Sequence, residues 1–415
     1  MSKKAKLLSA LLFLLLAPAY CQIKGFKYRV PITGVSDTWH SYTLDTEIFG
    51  KLENGLNDIR IVGFGPSDTI EAPYIINQHL RKESLNQIET QLLNLTKKGN
   101  VWYYTIKVGA GKVLNKFDLK FNRSNFDYLL TLEGSHNQQQ WFEIPGKYRV
   151  ISIVDGQIAY EYSSLHFSNS DFCFYRISFS SANNPLLGSI SAYYVSTDTG
   201  MYLSSSYKTT SLAIDRQLRT SVYSIELPMA LPVSGITVIC ADSFDYYRKA
   251  TIECLTDSTP APDGWIKRYS TLTSSYISSI AENTFWFAPS ITKQVKLTVF
   301  NQYNHPLQID SIKVYSNIVS LTARFTKGYR YYLYYGNRYC EYPGYDINFF
   351  RDKIPENTSF VFTGNQEKLF ETGSMEQNGN KSQEIWLWLL MGAIVMLLAF
   401  FTLNMIKTKQ NSETN

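Results

Sequence analysis

Four landmarks of this chain occur twice, in the same order and at nearly the same spacing. Ser124-Asn125-Phe126-Asp127-Tyr128 opens a run that ends at Glu133, and Asp242-Ser243-Phe244-Asp245-Tyr246 opens one that ends at Glu253. A polar loop and a tryptophan follow each, Trp141 in the first case and Trp265 in the second. Further on, Tyr175-Arg176-Ile177-Ser178-Phe179 runs into Asn183-Asn184-Pro185-Leu186, and Val295 to Phe300 runs into Asn304-His305-Pro306-Leu307. From Ser124, Glu133, Trp141 and Tyr175 to Asp242, Glu253, Trp265 and Val295 the offsets are 118, 120, 124 and 120 residues. That period is far too long for a solenoid and fits two tandem domains.

Between the landmarks the chain alternates apolar and polar residues with a period of two. Examples are Phe26-Lys27-Tyr28-Arg29-Val30, Val101 to Val108, Phe117 to Phe121, Lys147 to Val154, Gly235 to Ile239 and Tyr329 to Tyr334. Short runs of this kind, bounded by Asn, Gly, Pro and Ser, predict antiparallel sandwiches or barrels. The 30 tyrosines point the same way, because β-branched and aromatic side chains suit a pleated surface. The best helix candidate is Arg81 to Leu95.

The repeated units resemble the discoidin, or coagulation-factor type C, family of jelly-roll sandwiches. The resemblance is carried by Phe126-Asp127-Tyr128-Leu129-Leu130-Thr131-Leu132-Glu133-Gly134-Ser135, by His136-Asn137 and Trp141, and by the strand Phe174 to Phe179. The second copy departs from it, with Cys254-Leu255-Thr256-Asp257 in place of the Gly-Ser turn. The layout as a whole resembles an uncharacterised bacterial family of membrane-anchored envelope proteins. Here the matching segments are Tyr28-Arg29-Val30-Pro31 and Tyr331-Tyr332-Leu333-Tyr334-Tyr335-Gly336-Asn337. What this second resemblance implies is architecture and location rather than chemistry.

The ends of the chain predict export and tethering. Lys3, Lys4 and Lys6, an apolar run from Leu7 to Ala17, and small residues around Ala17-Pro18-Ala19 make the three-part layout of a signal peptide. Cleavage after Ala19 or after Cys21 fits; Tyr20 stands where lipid attachment at Cys21 would want a small residue. Ile385 to Met405 is almost unbroken apolar sequence, long enough to cross a hydrocarbon layer of roughly 30 Å as a helix. Trp386 and Trp388 mark one interface, and Lys407 and Lys409 follow on the other side. The formal charge of +5 belongs mostly to these ends, so the exported part is near neutral and carries no electrostatic footprint for nucleic acid.

The expected fold class is therefore all-β: tandem jelly-roll, galactose-binding-like β-sandwiches plus one C-terminal transmembrane helix. The expected order is a signal peptide (1–21), an N-terminal β domain (22–110), a first sandwich (111–215) and a second (216–320). A C-terminal β segment (321–362), a flexible stalk (363–384), the transmembrane helix (385–406) and a cytoplasmic tail (407–415) complete it. The N-terminal unit is a candidate for completion by chain from 320 to 362. Four cysteines remain after export, Cys173, Cys240, Cys254 and Cys340, and an oxidising compartment allows them three pairings, with Cys240–Cys254 the nearest in sequence.

Catalytic signatures are absent: no Gly-x-Ser-x-Gly, no His-Glu-x-x-His and no phosphate-cradling loop. Gly109-Ala110-Gly111-Lys112 lacks the spacing of a phosphate loop and reads as a turn. His40, His79, His136, His166 and His305 show no metal-ligand spacing. Glu133 with Asp155, or Glu253 with Asp263, are the carboxylates a glycosidase would need, but acids of this kind are usually turn or surface residues. Trp141 and Trp265 read as sandwich core rather than sugar platforms. Tyr329 to Tyr345 suits a binding surface and a half-exposed strand equally. Asn94-Leu95-Thr96, Asn122-Arg123-Ser124, Asn357-Thr358-Ser359 and Asn380-Lys381-Ser382 match the glycosylation pattern by coincidence in a bacterial-looking chain. No catalytic, cofactor or metal residue is nominated.

The expectation for function is a non-catalytic binding or scaffold ectodomain, single-pass in a bacterial inner membrane and facing the periplasm, with an envelope glycan or a protein as partner. The alternative is a structural or assembly subunit of an envelope membrane complex, and a hydrolase comes third.

Overall fold

The computed structural model describes residues 23, 25–155, 158–208, 211–369, 391 and 396. The expected signal peptide, tail and transmembrane helix lie outside the described residues, save Met391 and Met396. Among the described residues no helix is long and apolar enough to cross a membrane.

Three β units follow one another in space, though not simply in sequence. The first is built from both ends of the described chain. Its early strands are β1 (Tyr28–Thr33), β2 (Trp39–Thr43), β3 (Arg60–Phe64), β4 (Thr69–Glu71) and β5 (Tyr74–Asn77), with one short helix, α1 (Thr46–Phe49). The first sandwich then runs through β6 (Lys82–Ile88), β7 (Thr90–Lys98), β8 (Val101–Val108), β9 (Leu114–Phe121), β10 (Phe126–Ser135) and β11 (Phe142–Glu143). It ends with β12 (Tyr148–Asp155), β13 (Ile158–Tyr162), β14 (Ser164–Ser170), β15 (Phe174–Ser180) and β16 (Leu187–Asp198). The second sandwich comprises β17 (Tyr202–Lys208), β18 (Ser211–Asp215), β19 (Thr220–Cys240), β20 (Tyr247–Ala261), β21 (Gly264–Ser278), β22 (Thr284–Phe300) and β23 (Ile309–Asn317). The chain returns to the first unit in β24 (Ser320–Arg324), β25 (Arg330–Tyr335), β26 (Ser359–Phe360), β27 (Phe362–Thr363) and β28 (Glu367–Lys368).

The terminal unit is itself two layers. One sheet has the order β27-β1-β25-β3-β4 with β28 also on β1; the other has the order β26-β2-β24-β5. Val30, Ile61, Tyr331 and Leu333 from the first meet Tyr42, Tyr74, Leu321 and Ala323 from the second in one buried cluster. The tyrosine-rich strand β25 lies in the middle, paired with β1 and β3, and Tyr331, Tyr334 and Tyr335 are buried. Arg330 to Tyr335 is thus a strand, mostly buried rather than half-exposed. The Gly336-Asn337 that ends it gives both backbone N–H groups to the Asp58 carboxylate, at 3.1 and 3.0 Å, alongside the N–H of Glu53 at 2.9 Å. Burial pushes the Asp58 carboxyl up, and those backbone donors oppose the shift.

The first sandwich packs a sheet of order β13-β12-β10-β15-β8-β7 on one of order β14-β9-β16-β6. Period-two burial does the sorting: in β15 Tyr175, Ile177 and Phe179 are buried while Arg176 and Ser178 point away. The second sandwich repeats this pairing strand by strand. β17 lies on β23 as β6 lies on β16, and β18 on β19 as β7 on β8. β20 lies between β21 and β22 as β10 lies between β12 and β15. The difference is continuity. The turn at Gly109–Lys112 that separates β8 from β9 has no counterpart in β19, which runs through two register shifts instead. β22 likewise spans the positions of β14 and β15, so a single seven-stranded sheet results.

These pairings correct the expected boundaries. Strands at 82–108 belong to the first sandwich rather than to an N-terminal domain ending at 110, and the second sandwich begins at Tyr202 rather than at 216. The repeat landmarks begin only at the fifth strand of the first sandwich and the fourth of the second, so the edge strands before them carry no mark. The terminal unit extends to Leu369, because Phe362–Thr363 and Glu367–Lys368 pair with β1; residues 363–369 are not stalk. Arg81 to Leu95 is not a helix but the two edge strands β6 and β7. Their residues are mostly exposed, so no in–out alternation advertises them.

The three linkers between units meet at one point. Met201 N–H donates to His79 O, and Ile318 N–H to Met201 O, each at 2.9 Å. The Asn317 side chain donates to Gln78 O at 3.0 Å. Gly200 has φ +67°, and a Cβ there would lie 2.5 Å from His79 O, so only glycine fits.

Candidate functional site

On the outward side of the first sandwich, directly opposite the core pair Leu132 and Ile177, Glu133 faces Arg176 across the β10–β15 ladder. The guanidinium donates from Nε to Glu133 Oε2 at 2.8 Å and from Nη2 to Oε1 at 2.9 Å, a bidentate pair. It also lies 4.2 Å from the centre of the Trp141 ring and 5.4 Å from that of Tyr103.

The loop that brings Trp141 there is organised by its own short polar side chains. Ser135 Oγ, fully buried, accepts Gln138 N–H at 2.9 Å, and Asn137 Oδ1 accepts the N–H groups of Gln139 and Gln140 at 2.9 and 3.0 Å. Trp141 in turn donates its indole N–H to Gln138 O at 3.1 Å. Below the loop, the Phe172 ring lies close against Gly134.

The second sandwich builds the same pair at the repeat-equivalent positions. Glu253 faces Lys296 across β20–β22, with Lys296 Nζ at 2.9 Å from Glu253 Oε2 and 4.1 Å from the Tyr269 ring centre. Beside it the buried Gln294 amide oxygen accepts from Lys267 Nζ and from Tyr269 OH, both at 3.0 Å. Burial holds the Tyr269 phenol above its ordinary range, with Glu253 and Glu226 adding to the shift. At the tip of the β20–β21 hairpin Trp265 is 65% exposed.

Both tryptophans therefore depart from the core expectation. Trp141 is half-buried on a surface loop and Trp265 stands in solvent. The inward strand positions of each sandwich are filled by Phe, Tyr, Ile, Leu and Val, which leaves the loop and hairpin-tip indoles outside. Of the candidate carboxylates, Glu133 and Glu253 are both held in ion pairs. Asp155 is exposed at a strand end and Asp263 in a hairpin turn. Sequence reasoning missed Arg176, Lys296 and Tyr269. Their signal was present in the repeat, since Glu133 and Arg176 recur as Glu253 and Lys296 at one offset.

None of the three possible pairings is made, Cys240–Cys254 included, and all four described cysteines are free thiols. β22 lies between the strands that carry them, and Cys254 is buried with its sulfur 3.3 Å from Ser290 Oγ. His40 is a buried structural residue whose Nε2 accepts the N–H groups of Ser36 and Asp37 at 3.1 and 2.8 Å. Among the described residues no group of three His, Cys, Asp or Glu side chains is placed to hold a metal ion.

No family model and no curated protein sequence matches the chain. Among solved structures, the CBM32-1 and CBM32-2 domains of Clostridium perfringens ZmpB align at 8% identity over 70% of this chain and 100% of that one, with a TM-score of 0.21. Allantoicase from Saccharomyces cerevisiae aligns at 10% identity over 55% of this chain and 80% of that one, with a TM-score of 0.18. A glycoside hydrolase 29 family member from an unknown rumen bacterium aligns at 15% identity over 53% of this chain, with a TM-score of 0.18. This chain spans only 40% of that hydrolase. TM-scores this low say nothing about the chemistry of the faces described above.

Proposed function

We propose that this chain is an exported, non-catalytic glycan-binding protein of a bacterial envelope. It is tethered by the apolar segment 385–406 and presents its sandwiches on the periplasmic side. The observation that supports this reading is the acid–base pair capped by an aromatic ring, built twice at equivalent positions on outward sheet faces. A sugar ring offers hydroxyls that both donate and accept, together with an apolar C–H face. A fixed carboxylate beside a fixed cation meets the first, and an accessible indole or phenol meets the second.

The test is a glycan array probed with the full chain, followed by titration of any glycan that binds. Trp141→Ala, Arg176→Ala and Tyr269→Ala are expected to lower affinity about tenfold or more each. Absence of binding to every envelope glycan, or binding unchanged in the triple variant, would sink the reading. Release of the chain from the membrane fraction when 370–415 is deleted tests the tether separately.

A further inference from the structure

Exposed phenylalanines are concentrated in one unit of this chain. Among the described residues six are exposed, Phe142, Phe244, Phe349, Phe350, Phe360 and Phe362, and the last four belong to the terminal unit. Phe349 and Phe350 stand on the segment that leads from Tyr345, whose ring lies on Tyr74 of β5, to β26 at the opposite edge of the same sheet. Phe360 and Phe362 sit where the two sheets of the unit are closed. β26 is the edge strand of one sheet and β27 of the other, so the chain passes from sheet to sheet between them. Val361 turns into the core there, and its N–H donates to Ser41 O at 3.1 Å. With a period of two, its neighbours on either side both turn outward: Phe360 is 64% exposed and Phe362 68%.

The position of that edge along the chain says what covers it. β28 follows β27 on the same side of β1, and Leu369 N–H donates to Lys27 O at 2.8 Å. Only the fifteen residues 370–384 separate this edge from the apolar run Ile385 to Met405. A chain of that length spans at most about 50 Å fully extended and about 20 Å as a flexible coil. A unit held so close to a bilayer meets its surface at high effective concentration, so even a weak contact is occupied. Aromatic rings held out from a protein surface gain by entering the boundary between headgroups and acyl chains.

We infer that the terminal unit rests on the bilayer through its β26–β27 edge, with Phe360 and Phe362 set into the headgroup boundary. The inference rests on the proposed tether at 385–406 and goes beyond it, because a tether alone leaves the orientation of the unit free. The contact is separate from the acid–base pairs on the sandwich faces.

The experiment uses the full chain in phosphatidylcholine vesicles whose acyl chains are brominated next to the headgroup, since bromine quenches tryptophans at its own depth. The parent carries Trp386 and Trp388 at the proposed interface, so quenching of the parent reports the tether itself. Phe362→Trp is expected to add emission that bromine lowers by about half. Tyr303→Trp, on an exposed loop of the second sandwich, is expected to add emission that bromine leaves unchanged. Phe360→Ser in the Phe362→Trp chain is expected to restore most of the lost emission, with an unchanged melting temperature because both side chains are exposed. A quenched parent in which the tryptophan at 362 responds like the one at 303 overturns the inference and leaves the tether standing. An unquenched parent overturns the tether, and the inference with it. A tryptophan at 362 shielded from bromine and from aqueous iodide alike would show that protein covers this edge, and would overturn the bilayer contact as well.

Discussion

Asn77 and Ser320 face each other across an antiparallel ladder, although both sandwiches lie between them in the chain. His79 Nε2 meets Ser320 Oγ at 2.9 Å, and the Asn77 amide donates to Thr322 Oγ1 at 3.0 Å, which closes the ladder at the point of departure. The sandwiches are thus an insertion into a unit made by the two chain ends. Replacing 79–318 by Asn-Gly leaves a four-residue hairpin loop, a length such ladders accept. The excised unit is expected to fold alone, with a dispersed amide spectrum and a cooperative thermal transition. Its melting temperature falls, because Ile291 of the second sandwich no longer packs on its core. A collapsed spectrum without dispersion would show that the terminal unit depends on the sandwiches.

Gly134 lies under Phe172 so closely that an added Cβ would sit 2.0 Å from ring carbon Cδ2. Gly134→Ala has to displace the ring, which also packs on His136, Phe142 and Tyr175. The expected cost is about 1–3 kcal/mol, the usual range for overpacking a filled core. Gly344, where nothing lies within 4 Å of an added Cβ, is the control, expected within about 0.5 kcal/mol of the parent. Urea unfolding of the two variants decides between them, and equal stabilities would show that the Phe172 ring moves freely.

The same two neighbours show what was legible in the sequence. Gly134-Ser135 stands out as a motif, and the structure gives each residue a reason: the glycine admits a ring, and the serine folds the loop that carries Trp141. Repeated landmarks were readable because central strands have one buried and one exposed face, which imposes alternation. Edge strands β6, β7 and β17 are wet on most sides, so Arg81–Leu95 was the best helix candidate and Tyr202–Lys208 fell outside its own domain. The acid–base pairs lay one step beyond reach. Glu133 and Glu253 were visible as repeat landmarks, but only the strand register brings Arg176 and Lys296 opposite them.

Tyr175 makes stability fall in alkali. It is fully buried, its hydroxyl lies 2.9 Å from Ser170 Oγ, and burial pushes its phenol up to about 12. In the unfolded chain the same group titrates at about 10. The folded state therefore holds a proton that the unfolded state releases, so the contribution is complete below pH ~10 and is lost as pH rises from there to about 12. Tyr74 and Tyr335 in the terminal unit shift in the same direction through burial. Urea midpoints measured from pH 8 to 11.5 are expected to fall above about pH 10, and Tyr175→Phe is expected to flatten that slope. A parallel slope in the variant would remove Tyr175 from the effect.

The two sandwiches touch through two kinds of contact, and magnitudes rank them. Arg149, already bidentate on Asp127, also reaches Asp245 of the second sandwich at 2.8 Å and holds that carboxyl below the usual range. Asp245 is mostly exposed, so this bridge is worth at most about 1 kcal/mol. Tyr160 is buried, with its ring parallel to Tyr247 at 5.1 Å and tilted on Tyr276 at 5.8 Å. Truncating such an aromatic costs about 3 kcal/mol or more. Asp245→Ala is therefore expected to leave the solution scattering profile unchanged. Tyr160→Ala is expected to raise the radius of gyration and to open the linker around Gly200 to protease. The reverse order of effects would mean that the charge, and not the ring stack, sets the angle between the two sandwiches.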